Sequence, residues 1–144
     1  MTFRELRGQF SYEVRKGTEE QKITSITDDS RTAAPGGMFI CLSGVLYHGA
    51  GYVRDAVKRG VSLVVAEKAL CQSLEMNWPD HVTLVAAEDA REALGQLAAA
   101  WYGNPSQKLR MIGVTGTKGK TTVTHMIWKI LNESGQKTGL IGTN

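Results

Sequence analysis

Gly116-Thr117-Lys118-Gly119-Lys120-Thr121 is the stretch of this chain whose residue types are best suited to chemistry, and that chemistry is phosphate binding. Two glycines and short polar side chains leave the backbone free to wrap an anion. Successive N–H groups, and the N-terminus of a helix that follows, then point at phosphate oxygens. In such a loop Lys120 reaches the β- and γ-oxygens of a nucleotide and the Thr121 hydroxyl ligates Mg²⁺. The spacing departs from the strict G-x-x-x-x-G-K-[ST] pattern, because Val114 stands where the first glycine belongs and Gly113 lies one residue early. A glycine-rich surface turn ahead of an amphipathic helix is the competing reading, so the flanking elements have to decide.

Those elements occur in the order a phosphate loop requires. Leu109, Met111, Ile112 and Val114 suit a buried strand entering the loop. After it, Val123, Met126, Ile127, Ile130 and Leu131 repeat at helical spacing up to Gly135, and Thr138 to Ile141 reads as a second apolar strand. The context favours mononucleotide binding.

A second group of candidate residues lies nearer the N-terminus. Asp28, Asp29, Ser30 and Arg31 follow the strand-like ITSIT, then come Pro35-Gly36-Gly37, the strand-like MFICL, and the loop Ser43 to Gly49 leading into a helix near Gly51 to Arg59. Ligands of α/β folds sit outside the carboxyl ends of strands, and a helix starting near Ala50 offers free N–H groups to an anion such as pyrophosphate. Spacing alone leaves a plainer reading open, in which the aspartates cap a turn and His48 is an ordinary loop residue.

Around these segments the chain alternates strands and helices. Ile23–Ile26, Met38–Leu42, Leu63–Ala66 and Val82–Val85 read as strands, and Glu88 to Trp101 as a helix with Ala90, Leu94, Leu97, Ala98 and Trp101 on one face. Gly103-Asn104-Pro105 breaks that helix and marks a domain boundary, giving an α/β unit over 1–103 and a second unit over 104–144. Residues 1–22 and 68–81 carry no motif, and Trp78-Pro79-Asp80 reads as a surface turn. The second unit supplies one strand, the loop, one helix and one further strand, which is the start of a nucleotide-binding sheet rather than a whole one. It is expected to lean on the first unit, to pair with another copy, or to be poorly ordered.

Composition narrows the field. With 144 residues, 42% of them hydrophobic, the chain buries one core and the beginning of another. Its net charge of +3 is spread along the chain, with no basic stripe for a nucleic acid. Cys41, Cys71 and three scattered histidines have no metal-ligand spacing, so two buried free thiols are expected. No stretch approaches the roughly 20 apolar residues of a membrane span, and the N-terminus lacks a signal-peptide core. The expectation is a cytoplasmic protein with small-molecule ligands, without membrane insertion and without an evident obligate protein partner.

The loop TGTKGKTT, preceded by GV and followed by HMIWKIL, ESG and KTGLIGT, resembles the ATP-binding loop of the Mur ligases, which add amino acids to the peptidoglycan precursor. Their loop usually reads TGTNGKT and shares the displaced glycine; Lys118 replaces the asparagine, adding a positive charge and leaving the backbone cradle intact. DDSR, GGMFICLSG and HGAGYVRDAVKRGVSLVVAE are similar to the UDP-binding N-terminal domain of the members that add the third residue. The ligase of the final dipeptide shares a DSR-like start, but its loop more often reads TGSNGKT. The resemblance implies a small UDP-binding α/β domain followed by the first β–phosphate-loop–α–β unit of a truncated Rossmann-like ATPase domain.

It also implies roles. Gly116, Thr117, Lys118, Gly119, Lys120, Thr121 and Thr122 would bind ATP, with Lys120 catalytic and Thr121 holding Mg²⁺. Ser30, Arg31, Val45, Leu46, Tyr47, His48 and Gly49 would hold the UDP part of UDP-N-acetylmuramoyl-L-alanyl-D-glutamate. The implied reaction is ATP-dependent amide formation, in which an acyl phosphate on the substrate carboxylate is attacked by an incoming amino acid. Further magnesium ligands and the amino-acid-selecting residues would lie beyond Asn144, so the chain is expected to bind substrate without catalysing ligation. Two rival classes are a nucleotide-hydrolysing switch on the same loop and a non-catalytic nucleotide-sugar-binding module.

Overall fold

The computed structural model describes residues 1–42, 49–74 and 78–142, with backbone only at 49 and 50. The chain divides into two compact units, Met1–Lys108 and Leu109–Asn144. The division falls a few residues past the glycine-proline breaker at 103–105, because the 3₁₀ turn Pro105–Lys108 stays with the first unit.

The first unit runs α1 (Phe3–Leu6), β1 (Tyr12–Lys16), β2 (Ile26–Thr27), a 3₁₀ turn Ser30–Thr32, β3 (Met38–Cys41), α2 (Gly49–Lys58), β4 (Leu63–Glu67), α3 (Lys68–Ser73), β5 (Thr83–Ala87) and α4 (Ala90–Trp101). Its sheet has the order β1-β5-β4-β3-β2, with β2 to β5 parallel and β1 antiparallel along the β5 edge. This is the expected α/β class. β1 was not legible in the sequence: its pattern of half-buried and exposed residues belongs to an edge strand, with one face against the core and the other in solvent.

Strand β3 is wholly apolar, and β4 and β5 are apolar apart from Glu67 and Thr83 at their ends, because both of their faces are covered. Alternate side chains enter two separate cores. Met38, Ile40, Leu63, Val65, Val85 and Ala87 pack with Phe3 and Leu6 of α1 and Ala93 and Leu97 of α4. Phe39, Cys41, Val64, Ala66 and Leu84 pack on the other face with Val53 and Ala56 of α2, with Leu70 and Cys71 of α3 against them. The buried face of α4 is centred on Ala90, Ala93 and Leu97, so Ala93 joins the expected stripe. Its start is fixed by Asp89, whose carboxylate accepts from Arg91 N at 2.7 Å and Glu92 N at 3.0 Å.

Three details correct the sequence reading. Cys41 is buried but Cys71 is only half-buried; both are free thiols. Burial pushes the Cys41 thiol up to about 11. Trp78 is half-buried against the second core rather than lying in a plain surface turn, and its carbonyl accepts from Lys16 Nζ at 2.7 Å.

The third correction concerns the second unit, which contains α5 (Lys120–Glu133) and, among the described residues, no strand at 109–114 or 138–141. A strand exists only through its ladder partners, and none is available here. The 138 segment bonds instead to the helix: Trp128 Nε1 donates to Thr138 O at 2.9 Å, and Thr138 N donates to Asn132 Oδ1 at 3.4 Å. The helix is present as expected, but it buries no residue, and Val123, Met126 and Ile130 stay exposed.

Leu97 is fully buried in the first core. Leu97→Ala should therefore lower the unfolding free energy by about 2–5 kcal/mol through lost burial and a residual cavity, measured by urea denaturation.

Candidate functional site

The candidate phosphate loop ends on Gly119, which takes a left-handed conformation at φ 77° and forms the N-cap of α5 without any side-chain bond. The first helical bond runs from Val123 N to Gly119 O at 3.0 Å. With no capping side chain, the N–H groups of Lys120, Thr121 and Thr122 open α5 toward solvent as donors for an anion. Gly116, Thr117, Lys118 and Gly119 are exposed. Lys120 folds back across the loop, its Nζ donating to Gly116 O at 2.6 Å. The ammonium is thus already held over the cradle, and a phosphate would exchange one neutral carbonyl partner for charged oxygens.

Lys120 and Thr121 line a cavity of about 440 Å³ with Val114, Thr124, His125 and the Leu140 to Gly142 segment. Thr124 and His125 were not singled out in the sequence; the signal was their position one turn beyond Thr121, on the same helix face. Thr124 Oγ1 donates to the Lys120 and Thr121 carbonyls at 3.0 and 2.9 Å. His125 Nδ1 lies 2.8 Å from Thr121 O, which can only accept, so the proton sits on Nδ1 and Nε2 is left for other partners. The donor set around Thr121, a hydroxyl beside an uncapped helix start and a lysine, suits a magnesium-bound polyphosphate.

The second cluster is built on the crossover after β2. Asp29 caps the turn Ser30–Thr32, accepting from Arg31 N at 2.9 Å, and its two oxygens also take Arg31 Nε at 2.9 Å and Arg31 Nη2 at 2.7 Å. Thr27 and Thr32 hydroxyls meet at 2.7 Å and close the turn. This geometry leaves Ser30 buried, at 7% exposure, and Arg31 exposed. Both line a cavity of about 410 Å³ with Asp55, Lys58 and Arg59 of α2 and its C-terminal end. Gly49 opens α2, whereas Val45, Leu46, Tyr47 and His48 lie outside the described residues. The turn-capping reading holds for Asp29, and Ser30 beside it lines the cavity. Among the described residues there is no cluster of metal-ligating side chains, and no helix is long and apolar enough to cross a membrane.

The family description "Mur ligase family, catalytic domain" matches residues 22–102, more than half of the chain, and "Mur ligase middle domain" matches residues 114–144. The chain belongs to the Mur ligase family. It is 44% identical over 128 residues to a UDP-N-acetylmuramoyl-L-alanyl-D-glutamate–2,6-diaminopimelate ligase from Alkaliphilus metalliredigens, covering 89% of this chain and 25% of that protein. A ligase of the same name from Clostridium perfringens is 36% identical over 143 residues, covering 99% of this chain and 28% of that one. The chain therefore spans about a quarter of the length of the curated relatives it matches. Among solved structures, MurF from Acinetobacter baumannii superposes with a TM-score of 0.59 at 28% identity, covering 92% of this chain and 27% of that one. MurF from Thermotoga maritima, solved in complex with ADP, shares the fold with a TM-score of 0.53 at 21% identity, covering 81% of this chain and 25% of that one.

The Arg31 guanidinium holds the Asp29 carboxyl at about 2, below its ordinary 3.8. A depressed carboxylate contributes stability that is present above pH 3.8 and is lost as pH falls through about 2. Thermal unfolding between pH 5 and pH 2 should thus decline less steeply in Asp29→Asn than in the parent chain; identical profiles would show that the pair contributes nothing.

Proposed function

We propose that this chain carries the UDP-substrate-binding part and the ATP loop of a ligase that adds the third amino acid to UDP-N-acetylmuramoyl-L-alanyl-D-glutamate in peptidoglycan synthesis. The observation that carries this reading is the occurrence in one chain, in the family's order, of the Ser30–Arg31 turn beside α2 and the uncapped loop–helix start at Gly119. The amino acid we assign is 2,6-diaminopimelate, the one that the names of the relatives specify.

On this reading Ser30, Arg31, Val45, Leu46, Tyr47, His48 and Gly49 hold the UDP moiety. The stretch from Gly116 to Thr122 binds the triphosphate, and Thr121 holds Mg²⁺. ATP supplies the phosphoryl group that activates the substrate carboxylate for attack by the amino acid. Lys120 leaves Gly116 O to bind the phosphoryl oxygens, where a fixed cation stabilises charge that develops during transfer. The residue boundaries follow the two functions: substrate binding over 1–103 and the start of the ATP-binding domain over 104–144. The 144 residues bind the nucleotide-linked dipeptide and do not ligate by themselves.

Calorimetric titration with UDP-N-acetylmuramoyl-L-alanyl-D-glutamate should give saturable binding, weakened about tenfold by Ser30→Ala and by His48→Ala, the loss of one hydrogen bond each. Lys120→Ala should abolish Mg-ATP binding and leave the UDP ligand's affinity unchanged. Mg-ATP binding by a folded sample that ignores the UDP ligand would favour a nucleotide-hydrolysing switch instead, and amide formation by the purified chain would overturn its assigned inactivity.

A further inference from the structure

Trp128 and Asn132 lie on α5 well beyond the candidate loop, and both bond to the chain that returns beside the helix. Gly135 makes the reversal: it adopts φ 83°, and the N–H groups of Gly135 and Gln136 donate to Asn132 O and Leu131 O at 3.0 Å. Thr138 is then gripped from two sides. Trp128 Nε1 donates to its carbonyl at 2.9 Å, and Asn132 Oδ1 accepts from its N–H at 3.4 Å. The two gripping residues are themselves tied together, Asn132 Nδ2 donating to Trp128 O at 2.8 Å. Thr138 Oγ1 donates to Gln136 O at 3.0 Å and closes the turn that leads into the grip.

Beyond Thr138 the returning segment has little other support. No hydrogen bond joins Gly139, Leu140, Ile141 or Gly142 to another described residue, and Leu140 alone of the four is half-buried. Leu140 to Gly142 nevertheless form one side of the cavity whose other side carries Lys120, Thr121, Thr124 and His125. Four extended residues reach about 13 Å, the rise of about nine helical residues, so a segment fixed at Thr138 beside the last turns of α5 extends back to the level of Thr121. Without that wall, Lys120 and Thr121 would stand on an open helix end, where bulk water competes for their hydrogen bonds and screens the ammonium. We propose that Trp128 and Asn132 are positioning residues for the nucleotide: by holding Thr138 they keep Leu140 to Gly142 opposite Lys120 and Thr121, and so set the affinity of the loop for a magnesium-bound nucleoside triphosphate. The role rests on the ATP reading given above; the grip on Thr138 is independent of it.

The test is calorimetry with Mg-ATP on the 144-residue chain, with UDP-N-acetylmuramoyl-L-alanyl-D-glutamate as the reference ligand. Trp128→Phe removes the indole donor and keeps an aromatic ring, at a residue 40% exposed. Asn132→Ala removes the side-chain amide and raises helix propensity, so α5 is retained in both variants, which circular dichroism checks. Ser134→Ala is the control: it removes a 2.8 Å hydroxyl bond to Leu131 O at the same helix end without touching Thr138. The expected result is Mg-ATP affinity lowered about fivefold or more in Trp128→Phe and in Asn132→Ala, the loss of about one hydrogen bond each, with Ser134→Ala and the reference ligand at parent values. Parent affinity for Mg-ATP in both variants would overturn the proposal and leave the ATP reading intact. An equal loss in Ser134→Ala would also overturn it, because the effect would then belong to the helix end and not to Thr138. A folded parent chain that does not bind Mg-ATP would overturn the ATP reading and the positioning role together.

Discussion

Burial of β3, β4 and β5 on both faces is the constraint on which the first unit depends. Parallel strands need crossover connections, and crossovers place helices on the sheet faces, so a stable parallel ladder comes with two cores rather than one. Here α1 and α4 close one face and α2 and α3 the other. Every residue of β3 and β5 is consequently buried, and the alternation of side chains sorts Met38 from Phe39 and Leu63 from Val64 into different cores. Buried Ser62 fits because its hydroxyl donates to Lys22 O and Gly36 O, tying the chain before β2 and the turn before β3 to the start of β4.

The candidate ligand cavity of this unit is a by-product of the same arrangement. The crossover from β2 to β3 is too short for a helix of several turns and folds as a 3₁₀ turn capped by Asp29, which packs against α2. Asp29 therefore works locally: it holds the turn and orients Arg31, while Ser30 is pressed inward. The charge that reaches solvent comes from Arg31 and from the end of α2, two segments separated in sequence and joined only by this packing.

The second unit follows a different physical rule. Its loop and helix are local structures, made from glycine conformations and i→i+4 bonds that need no partner strand. Its flanking apolar stretches need a ladder, and without one the backbone of Thr138 bonds to Trp128 and Asn132 instead. The loop and helix start at Gly119, Lys120 and Thr121 therefore form where the sheet does not, and the apolar residues Leu109, Met111, Ile112 and Ile141 remain exposed.

Local chemistry and patterning were sufficient to read several features from the sequence itself. The glycine loop before α5, the continuous apolar runs of β3 to β5, the Asp89-capped helix and the DSR turn each announce themselves over a few residues, because glycine freedom, capping and burial on two faces act at short range. Membership of the Mur ligase family was legible for the same reason, since its motifs are contiguous. What only the tertiary structure decided depends on partners distant in the chain. The edge strand β1 exists because β5 offers it a ladder, and Trp78 is half-buried because a core lies beneath it. The apolar stretches at 109–114 and 138–141 form no strands because none pairs with them, and Lys58 and Arg59 line one cavity with Ser30 because α2 packs on the turn. Pairing and packing are non-local energies, and periodicity along one segment carries no record of them.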